Sequence, residues 1–159
     1  MTFLVDCMLG KAAKWLKILG FDVLFFSSAE DEALLELASK EARTLLTRDH
    51  ALAARARARK AACLLVESEV WEEQVRQVLD DLGLTAEARP FTRCVECNEP
   101  LRPLSPQNAA NLVAPFVLER ETEFSLCPAC GRVFWPGTHH ADMRAKVAAL
   151  LNRDTIPNS

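Results

Sequence analysis

The chain has 159 residues, of which 50% are hydrophobic and 26% charged, so it can bury one ordinary hydrophobic core or two small ones. This composition excludes a disordered tail. Asp22 interrupts the most hydrophobic region, so no apolar stretch approaches the roughly 18 residues of a transmembrane helix. The net charge of −3 excludes nucleic-acid binding through a bulk basic field. Asp6 comes before a hydrophobic signal region can form, so we expect no secretory signal, no membrane partner and a cytoplasmic location.

The first 90 residues alternate short apolar runs with helical patterns, which predicts the order βαβαβαβα. The predicted strands cover residues 3–5, 23–26, 44–46 and 63–66, and the last helix runs from an N-cap at Ser68 to a stop at Gly83. Such an alternation folds as a mostly parallel sheet covered by helices. We therefore expect an α/β domain over residues 1–90.

From Leu84 onward, repeated prolines break the periodicity. Residues 113–118 and 132–135 are predicted as the strands of a small hairpin, residues 103–111 as an inserted loop, and residues 141–151 as a closing amphipathic helix. We expect these elements to form a second, smaller domain over residues 91–159.

Three aspartates follow predicted strands: Asp6 after the first, Asp31 at the start of the helix after the second, and Asp49 after the third. Parallel strands end at one edge of a sheet, where ligands bind. Carboxylates gathered there repel one another unless a cation neutralises them, and Mg²⁺ and Mn²⁺ prefer oxygen ligands. This predicts a Mg²⁺ or Mn²⁺ site that can hydrolyse a phosphodiester. The alternative is that Asp31 and Asp49 are ordinary helix caps. Asp22 precedes the second strand, and we interpret it as structural.

Several cations accompany these aspartates in the sequence. Lys11 lies on the first helix just beyond Asp6, and Arg48 directly precedes Asp49. Arg48 is a candidate phosphate contact through its planar guanidinium, and Lys11 is either another such contact or part of a solvated helix face. The densest basic run, at residues 55–60, is compatible with contacts to a nucleic-acid backbone, although a merely soluble helix has the same pattern.

Four of the six cysteines form two CxxC pairs, Cys94 with Cys97 and Cys127 with Cys130. In a cytosolic chain, two such pairs predict a closed tetrahedral zinc site rather than disulfides or a redox centre. The residues after the pairs, Asn98 and Gly131, tolerate the left-handed conformation that closes such turns. We therefore predict a zinc ribbon, in which the Zn²⁺ ion is structural.

Several segments resemble the Mut-seven carboxyl-terminal RNase domain family: FLVDCMLGK at residues 3–11, WLKILGFD at 15–22, RTLLTRD at 43–49, both CxxC pairs, and FWPGTH at 134–139. The resemblance implies a PIN-like nuclease fold with an appended zinc ribbon and a metal-dependent ribonuclease activity. It also implies an acidic site made by Asp6, Asp31 and Asp49 with Arg48 beside it, and makes Asp22 a recurring position. Family members often have an aromatic residue at the position of His140 and Tyr at the position of Phe134, so this chain departs from the family pattern at both positions.

We interpret the chain as a Mg²⁺- or Mn²⁺-dependent ribonuclease with RNA as its substrate. A second hypothesis is a non-catalytic RNA- or ribosome-associated zinc-ribbon protein, which the ribbon and the basic run also support. A third is a phosphatase-like hydrolase, but Met8 stands where the DxD pair of such enzymes needs its second aspartate.

Overall fold

The computed structural model describes residues 1–152 and divides into two compact units, Met1–Phe91 and a second unit that begins at Thr92. The first unit contains, in chain order, β1 (Thr2–Val5), α1 (Gly10–Ile18), β2 (Asp22–Phe25), α2 (Asp31–Lys40), β3 (Thr44–Thr47), α3 (His50–Ala58), β4 (Cys63–Leu65) and α4 (Trp71–Asp81). The predicted βαβαβαβα order is confirmed. Within residues 1–152, none of the helices has the length and apolar character that a membrane crossing requires.

The four strands of the first unit form one parallel sheet in the order β2-β1-β3-β4. In the pairing register, Val5 of β1 lies opposite Phe25 of β2 and Leu46 of β3. All four strands therefore end at one edge of the sheet. The predicted fold class, a parallel sheet covered by helices, is confirmed.

Helices cover both faces of this sheet because side chains of a strand alternate between faces. Leu4 and Leu45 face α2 and α3 in a cluster completed by buried residues of these helices: Leu34, Leu35, Ala38, Leu52 and Ala56. The burial of each leucine contributes roughly 1.5–3 kcal/mol. On the opposite face α1 contacts α4, and the Trp15 and Trp71 rings stack with centroids 4.9 Å apart. The sheet is thus a rigid base for the loops at its ends.

Asp22 begins β2 at the amino-terminal edge of the sheet, and its partner is Arg43, directly before β3. Arg43 Nη1 donates to Asp22 Oδ1 at 2.6 Å and to the Phe3 carbonyl oxygen at 3.2 Å, while its Nε donates to Glu41 Oε2 at 2.7 Å. One guanidinium therefore joins β1, β2 and the turn before β3. These contacts agree with the structural interpretation of Asp22.

The second unit contains β5 (Arg102–Leu104), α5 (Pro106–Ala109), α6 (Pro115–Arg120), β6 (Phe124–Leu126), β7 (Val133–Phe134) and α7 (His140–Leu151). Its strands form an antiparallel sheet in the order β5-β6-β7. The strand predicted at 132–135 and the closing helix predicted at 141–151 are confirmed. Together with the cysteine pairs described below, this sheet gives the unit a zinc-ribbon-like architecture.

Two details predicted for this unit are wrong. Residues 113–118 are not a strand, because Pro115 occupies the first turn of α6, where its fixed φ and missing N–H favour a helix. Residues 103–111 are not only a loop, because the Ser105 side chain accepts from the Asn108 N–H and Pro106 begins α5. The strands that flank the insertion are instead β5 and β6.

We expect Arg43→Met to lower the free energy of unfolding by about 2 kcal/mol, because it leaves the partly buried Asp22 carboxylate without its cation. Glu41→Gln is the matched control, since it removes the more exposed ion pair of the same guanidinium and should cost no more than about 0.5 kcal/mol. Urea unfolding followed by circular dichroism measures both. Equal losses in the two variants would contradict a special role for Asp22.

Candidate functional site

The direction in which the chain adds strands to the sheet changes between β1 and β3. From β1 the chain passes to β2 on one side, and β3 then pairs with the other side of β1. In open parallel sheets, ligands bind outside the carboxyl ends of the strands at such a point. Asp6 directly follows β1, and Asp49 is the second residue after β3. The topology therefore places two of the predicted acidic residues, Asp6 and Asp49, just after the strands that flank this ligand-binding position.

Asp6 is a buried carboxylate, 8% exposed, at the end of the central strand β1. Its Oδ1 accepts from the Cys7 N–H at 2.6 Å and its Oδ2 accepts from the Thr47 hydroxyl at 2.8 Å. Its own N–H donates to the Leu46 carbonyl oxygen at 3.0 Å, which continues the pairing of β1 with β3. Within residues 1–152, no basic side chain forms a salt bridge with Asp6. Neutral donors thus hold this carboxylate in place and leave its charge uncompensated.

Asp49 is connected to Asp6 through a single side chain, that of Thr47. The fully buried Thr47 hydroxyl donates to Asp6 Oδ2 and accepts from the Asp49 N–H at 3.0 Å. Asp49 Oδ1 accepts from the N–H groups of Ala51 and Leu52 at 2.8 and 3.0 Å, and so caps α3. Its Oδ2 accepts no hydrogen bond from the described residues. Asp49 is therefore both a helix cap and a carboxylate with one oxygen free to bind a ligand.

Asp31 has a different environment at the start of α2. Its Oδ2 accepts from Arg55 Nη1 at 3.0 Å, and Arg55 also pairs with Glu32 at 2.9 Å. Arg59 donates twice to Glu32, at 2.6 and 2.8 Å. The charges of the predicted basic run are therefore partly neutralised by the acids of α2. Asp31 belongs to this surface network and not to the Thr47 network that joins Asp6 and Asp49.

The two predicted phosphate contacts have partners of their own. Lys11 Nζ lies 5.0 Å from the centroid of the Trp71 ring, a cation–π contact between the first turns of α1 and α4. Arg48 Nη2 lies 3.3 Å from Oε1 of the exposed Glu69, while Arg48 Nε is buried and has no hydrogen-bond partner. An orphaned buried donor is costly, so Arg48 has capacity for a further acceptor.

Thr47 belongs to the candidate site, and the sequence prediction missed it. The pattern gives one signal for it: a threonine as the last residue of an apolar strand, two positions before an aspartate. Its partner Asp6 lies 41 positions away in the chain, so only the pairing of β1 with β3 shows that the hydroxyl bridges two carboxylate residues.

The four cysteines come together in the second unit, where their sulfur atoms all lie within 4.8 Å of one another. The Sγ atoms of Cys94 and Cys130 are 3.9 Å apart, close to the separation of about 3.8 Å that a Zn–S bond of about 2.3 Å gives in a tetrahedron. Asn98 and Gly131 have φ angles of 65° and 71°, as the two turns require. Among residues 1–152, this is the one group of three or more His, Cys, Asp or Glu side chains placed to hold a metal ion.

The pKa values of these thiols show that they do not ionise independently. Hydrogen bonding to Cys130 raises the pKa of Cys97 to about 12. Burial raises the pKa of Cys127, but hydrogen bonds from the backbone of Cys130 and Ala129 outweigh it and lower that pKa to about 7. Crowded thiolates need a central cation to be stable together, and a soft site of four sulfurs suits Zn²⁺. The donor set and spacing therefore fit zinc.

We expect the purified protein to contain one zinc ion per chain and Cys97→Ser to lose it, because three thiolates leave the tetrahedral shell incomplete. Cys7→Ser is the matched control, since that thiol is exposed and lies outside the cluster. Metal analysis gives the stoichiometry, and hydrogen exchange should show faster exchange in β5, β6 and β7 of Cys97→Ser alone. Full zinc retention by Cys97→Ser would contradict the four-cysteine site.

A comparison with known proteins identifies the family of the chain. Residues 1–147 match the family model described as the Mut7-C RNAse domain. No curated protein and no solved structure matches the chain. Because the family model covers nearly the whole chain, the family is established by this match: the chain belongs to the Mut7-C RNAse domain family.

Proposed function

We propose that the protein is a metal-dependent ribonuclease that hydrolyses RNA phosphodiester bonds at the carboxyl edge of the parallel sheet. Membership of the Mut7-C RNAse domain family indicates a nuclease role related to RNA. The observation that carries the mechanism is the buried, uncompensated Asp6 carboxylate, joined through Thr47 to Asp49 at the reversal of strand order. These two carboxylates are negatively charged oxygen ligands, and within residues 1–152 neither forms a salt bridge with a basic side chain.

The residues present fit a hard divalent cation. Asp6 offers carboxylate oxygens whose hydrogen bonds come only from neutral groups, and Asp49 offers the oxygen that the cap of α3 leaves free. Oxygen donors of this kind suit Mg²⁺ or Mn²⁺, whereas the thiolates of the second unit suit Zn²⁺. A bound ion of this class supplies an activated water and stabilises negative charge on the phosphate oxygens.

Asp31 completes the acidic site in this proposal, either as a further ligand or by orienting the water. Its carboxylate is held by Arg55 in an exposed ion pair. Exposed pairs contribute about 0–1 kcal/mol, so exchanging Arg55 for a nearby cation has a small energetic cost. Asp31 can therefore be recruited when substrate and metal bind.

Arg48 and Lys11 hold the phosphates of the RNA. The Arg48 guanidinium pairs through Nη2 with the exposed Glu69, and a phosphate oxygen that replaces this carboxylate would gain a charge-assisted hydrogen bond there. Lys11 projects from the first turn of α1, just beyond Asp6, and Trp71 fixes its ammonium group. These residues position the scissile phosphate while Asp6 and Asp49 hold the metal.

The second unit has a structural role in this proposal. We assign the nuclease domain to residues 1–90 and a zinc ribbon with its terminal helix to residues 91–159. Zn²⁺ bound by the four cysteines stabilises a small sheet that buries little apolar surface of its own. Reduced thiolates are typical of the cytoplasm, where we place the protein.

We expect Asp6→Asn to lower RNA cleavage at least 100-fold, because an amide replaces the buried charge that binds the metal. Cleavage is measured on a mixed pool of RNA, with Mg²⁺ or Mn²⁺ omitted and then restored. Omission is preferable to chelation, because a strong chelator would also remove zinc from the cysteines. Asp80→Asn, an exposed aspartate on α4, is the matched control and should cleave like the wild type.

Two outcomes would contradict the ribonuclease proposal. Cleavage that persists in Asp6→Asn, or without Mg²⁺ and Mn²⁺, would remove these carboxylates from the mechanism. RNA binding that is unchanged in Asp6→Asn, with no cleavage by either protein, would favour the non-catalytic RNA- or ribosome-associated role instead.

We expect Thr47→Val to raise the Mn²⁺ concentration needed for half-maximal cleavage about 10- to 100-fold, because the hydroxyl that orients Asp6 is lost. The change also leaves the Asp49 N–H without its acceptor, at a cost of about 1–3 kcal/mol in stability. Thr47→Ser keeps the hydroxyl and should restore the wild-type metal requirement. Loss of stability alone would lower the amount of active enzyme without changing that concentration.

A further inference from the structure

Large exposed apolar side chains of the first unit concentrate at the edge that carries Asp6. Met8, Phe26 and Val70 are 55%, 41% and 49% exposed, and they lie in the segments that follow β1, β2 and β4. The other exposed large apolar residue of this unit is Met1, at the chain terminus. Leucine, isoleucine and phenylalanine side chains elsewhere on this unit are at least partly covered. An apolar patch confined to the edge of a candidate active site marks a binding surface.

The register of the sheet places Phe26 beside the catalytic carboxylate. Val5 and Phe25 are paired across β1 and β2, so Asp6 and Phe26 are the next residues of two strands that lie about 4.8 Å apart. Met8 is two positions beyond Asp6, in the short turn before α1. The residues that follow β1 and β2 at this edge therefore include a thioether and an aromatic side chain.

The surroundings of Phe26 leave room for a planar ligand. Residues 26–30 are all exposed, and the three residues after Phe26 have small side chains: Ser27, Ser28 and Ala29. No large side chain in this loop can cover the ring. The site thus offers an open aromatic surface next to a cluster of carboxylates.

The charges at this edge alone would give only a weak affinity for RNA. The net charge is −3, and Arg55 and Arg59 are paired with Asp31 and Glu32. Lys11 and Arg48 are the cations nearest to Asp6 and Asp49 in the chain. With two phosphate contacts proposed at this edge, another source of affinity is needed, and stacking of bases on aromatic side chains is the usual one for single strands.

We propose that Phe26, with Met8, forms a binding site for one unpaired nucleobase of the RNA, adjacent to the phosphate that is cleaved. The inference rests on the proposed ribonuclease function and adds to it how the substrate is held. A base can stack on Phe26 only when it leaves its own helix, so the site selects single-stranded segments over duplex RNA. The phosphate beside that base is then presented to Asp6 and Asp49.

The test is binding of a short single-stranded RNA that carries one 2-aminopurine, measured by fluorescence in buffer without Mg²⁺ and Mn²⁺, so that no cleavage occurs. Phe26→Ala should weaken binding about 5- to 10-fold and abolish the quenching that stacking causes. Phe116→Ala is the matched control, since Phe116 is an exposed phenylalanine of the second unit, and its affinity should equal that of the wild type. The same RNA annealed to its complement should bind more weakly.

Two further measurements separate a base contact from a general surface effect. An RNA with an abasic residue in place of the 2-aminopurine should bind the wild type and Phe26→Ala equally. If Lys11 and Arg48 each bind one phosphate, the slope of log affinity against log salt concentration should be about −1.4, since each phosphate contact contributes about −0.7. The slope should be the same for the wild type and Phe26→Ala, because the base contact carries no charge.

The outcomes distinguish this site from the proposed function. Equal binding by the wild type and Phe26→Ala, or equal binding of duplex, overturns the base site even where the wild type cleaves RNA. Phe26-dependent quenching without cleavage in Mg²⁺ or Mn²⁺ keeps the base site and overturns the ribonuclease. Phe26-dependent self-association in sedimentation, with no RNA bound, would show that a second copy of the chain occupies the surface, and also overturns the proposal.

Discussion

The hydrogen bond from the Thr47 hydroxyl to Asp6 is the interaction on which the candidate site depends. Asp6 is the one acidic or basic side chain that is buried among residues 1–152, and it lies at the end of the central strand. A buried carboxylate costs free energy unless its oxygens are satisfied. Here neutral donors satisfy them and no cation cancels the charge. The fold therefore holds a negative charge in one orientation, ready for a ligand that supplies the cation.

The two edges of the parallel sheet show how partners decide the role of an aspartate. Asp22, at the amino-terminal edge, pairs with Arg43, and the same guanidinium binds Glu41 and the Phe3 carbonyl. Its charge is neutralised within the protein, so it stabilises the register of the strands. Asp6, at the opposite edge, has no such cation among the described residues 1–152. In the proposed function, the residues that stabilise the sheet and those that do the chemistry thus lie at opposite edges, as is usual where loops at the carboxyl edge carry the site.

The sequence predicted the parts of the structure that depend on local patterns. Periodicity gave the order of strands and helices in the first unit, and the CxxC spacing gave the four-cysteine cluster with its left-handed residues at Asn98 and Gly131. The prediction of secondary structure failed where a single residue decides the element. Residues 113–118 have the apolar content of a strand, but Pro115 begins a helix there. The sequence also could not give the partners of Asp6 or Asp31, because Thr47 and Arg55 are distant in the chain and only strand and helix packing brings them close.

In the proposed function, the surface network of α2 and α3 joins a residue of the basic run to a residue of the acidic site. Arg55 belongs to the basic run that suggests binding, and Asp31 to the acidic set that suggests cleavage, yet in the structure each neutralises the other. A phosphate that takes Arg55 releases the Asp31 carboxylate, and a cation that takes Asp31 releases the guanidinium. By linkage, each event then strengthens the other by the same factor. Because the pair is exposed, it contributes only about 0–1 kcal/mol, so this exchange has a small free-energy cost.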